Sequence, residues 1–203
     1  MTTTIEPRTG MRFSVAEFLE LDLPEPDDKR KMELDDGILY IMPRPRPRHQ
    51  SVQGAVFYHF EIYFRSFAER PGVVYTELNV ALPSALPRLF APDLTIVLRN
   101  GDAIVGDRMV EGAPAIVIEI LSTDRNRDLV RKRQVYAEAG IPEYWIFDEA
   151  NETVIPLELR DGEYVERDVL TADDTLTTPL LPGLEIPLAD VFRQPGGLQQ
   201  SSE

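Results

Sequence analysis

The chain has 203 residues and no cysteine, with 21 Lys and Arg against 35 Asp and Glu, a formal net charge of -14. That length suits one domain and buries about 70% of the unfolded chain's surface, while the missing thiols and only two histidines, His49 and His59, exclude disulfide frameworks, thiolate zinc sites and multi-His centres, leaving a hard cation on oxygen ligands as the metal to expect. The charge disfavours nonspecific coating of DNA or anionic membranes, no apolar run approaches ~18 residues, and the first seven residues lack a signal-peptide pattern, which together point to a cytoplasmic protein with no membrane partner.

The predicted elements follow in chain order. Ser14 and Glu17 form a capping box that starts a helix ending near Leu21, before a Pro- and Asp-rich loop around Pro24 to Asp28. Residues 32–35 and 38–41 flank Asp36-Gly37, a pair suited to the positive φ of a type I′ turn, and predict a hairpin. Pro43, Pro45 and Pro47 then forbid regular hydrogen bonding and alternate with Arg44, Arg46 and Arg48. Val52, Val56, Phe60, Tyr63 and Phe67 recur at helical spacing, which predicts a helix over 49–68. Three strands follow, over 73–82, 93–98 and 115–121, and the last is nearly all apolar, as a central strand covered on both faces would be. A helix is predicted over 126–139, closed by Gly140 with Pro142 just beyond. Residues 143–148 read as a strand, 153–159 and 164–169 as a hairpin turned at Asp161-Gly162, and 179–192 as a loop that packs back and ends in a short element. The order gives an α/β fold with a mixed central β-sheet, divided into an N-terminal arm (1–12), a single domain (13–192) and a flexible C-terminal tail (193–203).

Four residues do not fit their elements. Glu119 interrupts the apolar strand on the face of Val117 and Leu121. Burying an unpaired carboxylate costs on the order of several kcal/mol, so Glu119 needs a cation, a donor or a raised pKa. A buried salt bridge explains it as well as a functional carboxylate does. Asp93 opens its strand directly after Pro92, where a turn or cap is the simplest account. Glu33 shares a face with Asp35, as the solvated side of an edge strand would. Lys132 falls on the inward stripe of its helix with Leu129, Tyr136 and Ala139, whereas Arg125, Arg127, Arg131 and Arg133 read as solvated. A lysine there snorkels to the edge, or, because the helix returns over the strand it follows, points back at Glu119. Carboxylates and a lysine on neighbouring elements suit hard-metal chemistry on phosphates. The acids hold Mg and leave positions for water and substrate, and the lysine stabilises phosphate charge or positions the attacking water.

The runs Pro92-Asp93, Val117-Ile118-Glu119-Ile120-Leu121-Ser122, Asp128-Leu129 with Lys132 and Tyr136, and Ala139-Gly140-Ile141-Pro142-Glu143-Tyr144-Trp145 resemble the Uma family of restriction endonucleases, within the PD-(D/E)XK nuclease superfamily. Glu33-Leu34-Asp35-Asp36-Gly37, His49 and Pro182-Gly183-Leu184 resemble further segments of that family, so the resemblance runs from about Phe13 to Phe192. It implies a restriction-endonuclease-like fold, a mixed central β-sheet flanked by helices. It also implies a Mg-dependent endodeoxyribonuclease, a hydrolase of phosphodiester bonds in DNA, with Mg or Mn on Asp93 and Glu119, Glu33 as an additional acid and Lys132 as the catalytic lysine. The superfamily's lysine normally lies two residues after the second acid. That position is Leu121 here, and the family resemblance moves the lysine to the following helix. A further departure is Ser122-Thr123-Asp124, one residue shorter than the family's usual loop.

Arg44, Arg46, Arg48, Arg125 and Arg127 supply a nucleic-acid-binding path on an otherwise acidic chain. Cutting both strands of DNA would suit a homodimer. The alternative is a catalytically inactive nucleic-acid- or protein-binding module on a nuclease fold, favoured by the displaced lysine and the acidity and opposed by the retained carboxylates. A carboxylate-pair glycoside hydrolase is disfavoured by the single tryptophan, which reads as core.

Overall fold

The computed structural model describes residues 6–21, 30–121 and 124–193. In chain order these form α1 (Val15–Leu19), β1 (Met32–Asp35), β2 (Ile38–Ile41), α2 (Pro47–Arg65), β3 (Gly72–Thr76), β4 (Val80–Ala81), β5 (Leu89–Phe90), β6 (Leu94–Leu98), β7 (Ile104–Val105), β8 (Val110–Glu111) and β9 (Ile116–Ile120). A π-helical turn (Arg127–Lys132) runs straight into α3 (Arg133–Glu138), followed by β10 (Glu143–Asp148), β11 (Thr153–Arg160), β12 (Glu163–Glu166), β13 (Leu170–Thr171), β14 (Thr175–Leu176), β15 (Ile186–Pro187) and α4 (Leu188–Phe192).

A seven-stranded mixed sheet forms the centre, in the order β12-β11-β10-β9-β6-β3, with β13 paired to β11 off that path. β9 and β10 are parallel, and the π turn with α3 is the crossover between them. β6 runs antiparallel to β9. Both faces of β9 are covered, which is why its sequence is almost unbroken apolar. Ile116, Ile118 and Ile120 pack with Val56 and Phe60 of α2 and Val191 of α4. On the other face Val117 and Leu121 pack with Val135 and Tyr136 of α3. A second sheet, in the order β2-β1-β5-β4-β8-β7, shares a smaller cluster with α1, built on Phe18, Leu34, Leu39 and Leu89.

Local chemistry sets the element ends. The capping box is present, with Glu17 N–H donating to Ser14 Oγ at 3.2 Å and Ser14 N–H to Glu17 Oε2 at 2.8 Å. Both Asp-Gly turns take positive φ at both positions, 51° and 79° at Asp36-Gly37 and 52° and 83° at Asp161-Gly162, the sign pattern of type I′. α3 ends in a Schellman motif: Gly140 N–H reaches Ala137 O and Ile141 N–H reaches Tyr136 O.

The structure departs from the predicted elements at several places. The strand expected over 73–82 breaks at Glu77, whose φ is 50° and whose N–H turns to the carbonyls of Pro92 and Asp93. β3 therefore joins the central sheet and β4 the second one. β5, β7 and β8 add strands to the three expected, each two residues long and too short to show alternation. α2 begins at Pro47, where a missing N–H costs nothing, and ends at Arg65 rather than Ala68. The helix expected over 126–139 takes a π turn over Arg127–Lys132 before α3 begins at Arg133.

Of the expected N-terminal arm, Arg12 makes an antiparallel bridge to Ile38 of β2. The expected loop around Pro24 to Asp28, the Ser122-Thr123 positions and the tail beyond Arg193 lie outside the described residues. Among those described, no helix is long and apolar enough to cross a membrane.

Candidate active site

The antiparallel register of β6 and β9 pairs Leu94 with Ile118. Carried one residue further, it sets Asp93 opposite Glu119. Like charges directly opposite one another destabilise a sheet, and both carboxylates are almost wholly buried, so their pairing needs compensation. Asp93 Oδ2 accepts the backbone N–H of Ile120 at 2.7 Å and lies 3.2 Å from His49 Nε2. Asp93 is further fixed through its own carbonyl, which accepts Gln53 Nε2 of α2 at 2.8 Å. Glu119 Oε1 accepts Lys132 Nζ at 2.8 Å and the Tyr136 hydroxyl at 2.7 Å. The lysine on the inward helix face thus points back to the strand that precedes it.

Glu33 completes the group, and it is not on a solvated face: β1 is covered on both sides and Glu33 is 0% exposed. Its Oε1 lies 3.2 Å from Lys132 Nζ and its Oε2 3.0 Å from Arg127 Nη2. Arg127 is likewise not solvated. Its guanidinium also lies 3.5 Å from Asp35 and stacks 3.9 Å over the Tyr40 ring. The reason is the π turn, which brings Arg127 and Lys132 to one side. The Tyr144 hydroxyl donates to the Asp128 carbonyl inside that turn at 2.9 Å, the kind of insertion that widens a helical ladder.

Lys31, just before β1, has no counterpart among the residues singled out from the sequence. Its Nζ is 2.8 Å from Asp93 Oδ1 and 3.6 Å from Glu119 Oε2. One sequence signal was available: the chain holds three lysines against eighteen arginines, and two of the three meet here.

The charges divide the three acids. Burial pushes Asp93 up, but Lys31 and His49 outweigh it and hold the carboxyl well below its ordinary value. Burial also opposes ionisation of Glu33, yet Lys132, Lys31 and Arg127 pull it down overall. Glu119 goes the other way: burial raises it, Lys132 and Lys31 offset only part of that, and Asp93 and Glu33 add to the rise. Burial acts against both ammonium groups, but Asp93, Glu119 and Glu33 hold Lys31 protonated, and Glu119 and Glu33 do the same for Lys132. Lysine here is a charged donor, not a base.

Asp93, Glu119, Lys31 and Lys132 line a pocket of about 310 Å³. Arg44, Arg46 and Arg125 also line it, and Arg125 is held by Asp148 at 2.7 Å. Arg48 instead bonds Glu152 at 2.7 Å, and Arg127 is enclosed beneath Glu33. Of the five arginines expected on a phosphate path, three therefore face the pocket.

This donor set fits a hard divalent cation. Asp93 and Glu119 already present one oxygen each to a single shared cation, the Lys31 ammonium. Mg needs no more than one or two carboxylates, with water and substrate supplying the rest. No group of three or more acidic or His side chains suited to a metal occurs among the described residues, so a metal here would rest on the two carboxylates, with water and substrate completing its shell.

The family model described as "Uma2: Putative restriction endonuclease" matches residues 15–189, and the chain belongs to that family. Among solved structures the chain is similar to "a putative nuclease belonging to DUF820" from Anabaena variabilis, with a TM-score of 0.69 and 19% identity over 89% of this chain and 97% of that one. The likeness is one of fold, a mixed α/β fold. No curated protein matches the chain.

Proposed function

We propose that the chain is a Mg- or Mn-dependent endonuclease that hydrolyses phosphodiester bonds in DNA. The observation that carries this reading is the convergence of Asp93, just before β6, and Glu119 of β9 at a pocket also lined by Lys132 and three rim arginines. No packing role requires two buried acids to face each other there.

Asp93 and Glu119 would hold the metal, which when bound supplies Lewis-acid stabilisation of the phosphoryl group and a nucleophilic water at neutral pH. Lys132 stays an ammonium, so its part is to donate to a phosphate oxygen or to the attacking water rather than to take a proton. Glu33 acts through Lys132 as its second anchor and is a positioning residue. Tyr136 fixes the inner oxygen of Glu119 and leaves the other turned toward the pocket cation. Arg44, Arg46 and Arg125 supply local positive charge on a chain of net charge -14, which predicts steeply salt-sensitive binding. Against the inert module, the Lys132 ammonium lies 2.8 Å from Glu119 despite its displacement onto the helix, which supports a lysine at the site.

The test is cleavage of supercoiled plasmid with Mg and with Mn at low salt, beside Glu119→Ala. Nicking or linearisation that the variant lacks is expected. Metal binding without cleavage of any DNA or RNA would favour the binding module instead.

A further inference from the structure

Each of the two proposed metal-holding carboxylates has one oxygen tied to scaffolding and one turned to Lys31. Asp93 Oδ2 is engaged by the Ile120 N–H and His49, and Glu119 Oε1 by Lys132 and Tyr136. The remaining oxygens, Asp93 Oδ1 and Glu119 Oε2, both face Lys31 Nζ, at 2.8 and 3.6 Å. The ammonium thus stands at the point where the two carboxylates can share a cation.

We propose that Lys31 is a built-in competitor for the metal: its ammonium keeps the cation position in the metal-free protein and has to leave when a divalent ion binds. The inference rests on the metal-dependent reading above. Two cations cannot share a space bounded by the same two oxygens, so one of them must move. Lys132 is the poorer candidate, being 3% exposed and within 3.5 Å of Glu119, Glu33 and Asp128. The Lys31 side chain is 14% exposed, lines the pocket and hangs on a flexible four-carbon stem. Its backbone stays pinned, because its carbonyl accepts the Met42 N–H across the hairpin, so the ammonium moves while the strand does not. The consequence is a metal affinity lowered by the fraction of time that Lys31 holds the position. The displaced ammonium then turns into the pocket beside Arg44, Arg46 and Arg125, where a substrate phosphate would lie.

Two measurements test this. In the wild-type chain, reductive methylation followed by peptide mass spectrometry should modify Lys31 several-fold faster with saturating Mn than without it, while Lys132 stays protected. An unchanged or slower rate at Lys31 with Mn bound overturns the proposal, and this readout does not depend on any variant folding. In calorimetry, Lys31→Met should bind Mn about ten-fold or more tightly than wild type, with Lys31→Arg close to wild type. Equal or weaker binding by Lys31→Met overturns the competitor role alone. Absence of Mn binding in both wild type and Lys31→Met overturns the metal reading and the competitor with it, whereas binding confined to Lys31→Met is the expected effect in its extreme form.

Discussion

Arg127 and Lys132 stand five residues apart yet grip opposite oxygens of one carboxylate, Glu33. Around an α-helix, positions five apart lie about 140° from each other and cannot do this. A turn closed i→i+5 brings them to one side. The π turn is therefore the device that lets one short helix deliver a lysine to the pocket and an arginine beneath it.

Glu33 should accordingly be the least replaceable acid for stability. Glu33→Ala leaves two buried cations short of a partner, and breaking a buried pair from one side costs about 3–5 kcal/mol. Urea unfolding at pH 7 measures it, and a loss below about 1 kcal/mol would show that Asp35, Asp128 and Glu119 suffice without Glu33.

Glu119→Gln should behave oppositely. The ionised form of Glu119 is disfavoured by burial and by Asp93 and Glu33. A carboxyl raised in the folded state costs stability as pH climbs from its ordinary value of 4.5 through the raised one. The amide removes that cost and still accepts the Tyr136 hydroxyl. Expected are stability equal to or above wild type at pH 7, an advantage that fades by about pH 4, and no Mn binding in calorimetry. Retained Mn affinity would remove Glu119 from the ligand set.

Lys132→Met tests the lysine. It should lower plasmid cleavage by about 100-fold or more, as loss of a charged donor at a reacting phosphate does, without weakening Mn binding, since Lys132 and the shared cation take different oxygens of Glu119. It should also destabilise the fold, so single-turnover rates are compared on folded protein. Wild-type rates would reduce Lys132 to packing.

The contrast between these residues explains what was legible in the sequence. Glu119 and Lys132 stand out in the sequence because each breaks a pattern, one a continuous apolar run and the other an apolar stripe of period 3.6. Asp93 follows Pro92, where a turn or cap already accounts for it, and only the family resemblance gives it a metal role. Glu33 looked solvated because four residues of β1 cannot reveal that a second layer covers their polar face. Arg127 was misplaced for a sharper reason: a wheel of 100° per residue does not hold in a π turn. Lys31 lies outside any periodic element, and only the rarity of lysine marked it.

Rim arginines should separate from buried ones by salt. Arg44→Ala, Arg46→Ala and Arg125→Ala should each weaken binding to a DNA duplex and flatten the slope of log affinity against log salt by about one. Arg127→Ala should instead lower stability, because it leaves Glu33 and Asp35 short of a cation. Anisotropy titrations at several salt concentrations distinguish the two. An unchanged slope in all three rim variants would place the DNA path elsewhere.

Asp148 links the pocket rim to acid stability. Asp148 closes β10: Oδ1 accepts the N–H groups of Ala150 and Asn151, and Oδ2 accepts Asn151 Nδ2 and Arg125 Nη2. Burial works against its charge, but Arg125 and Asn151 win and bring the pKa from 3.8 to about 2. A carboxyl depressed in this way adds stability that is complete above about pH 4 and is lost as pH falls toward 2, worth about 2 kcal/mol. Asp148→Asn keeps an acceptor for the turn but gives up the charge. The variant should be less stable than wild type by about that amount at pH 7, and the two unfolding curves should converge between pH 4 and 2. A gap that stays constant with pH would show that Asp148 acts through turn geometry alone. Convergence, with DNA affinity falling alongside it in the variant, would show that the same ion pair that secures β10 also aims Arg125 into the pocket.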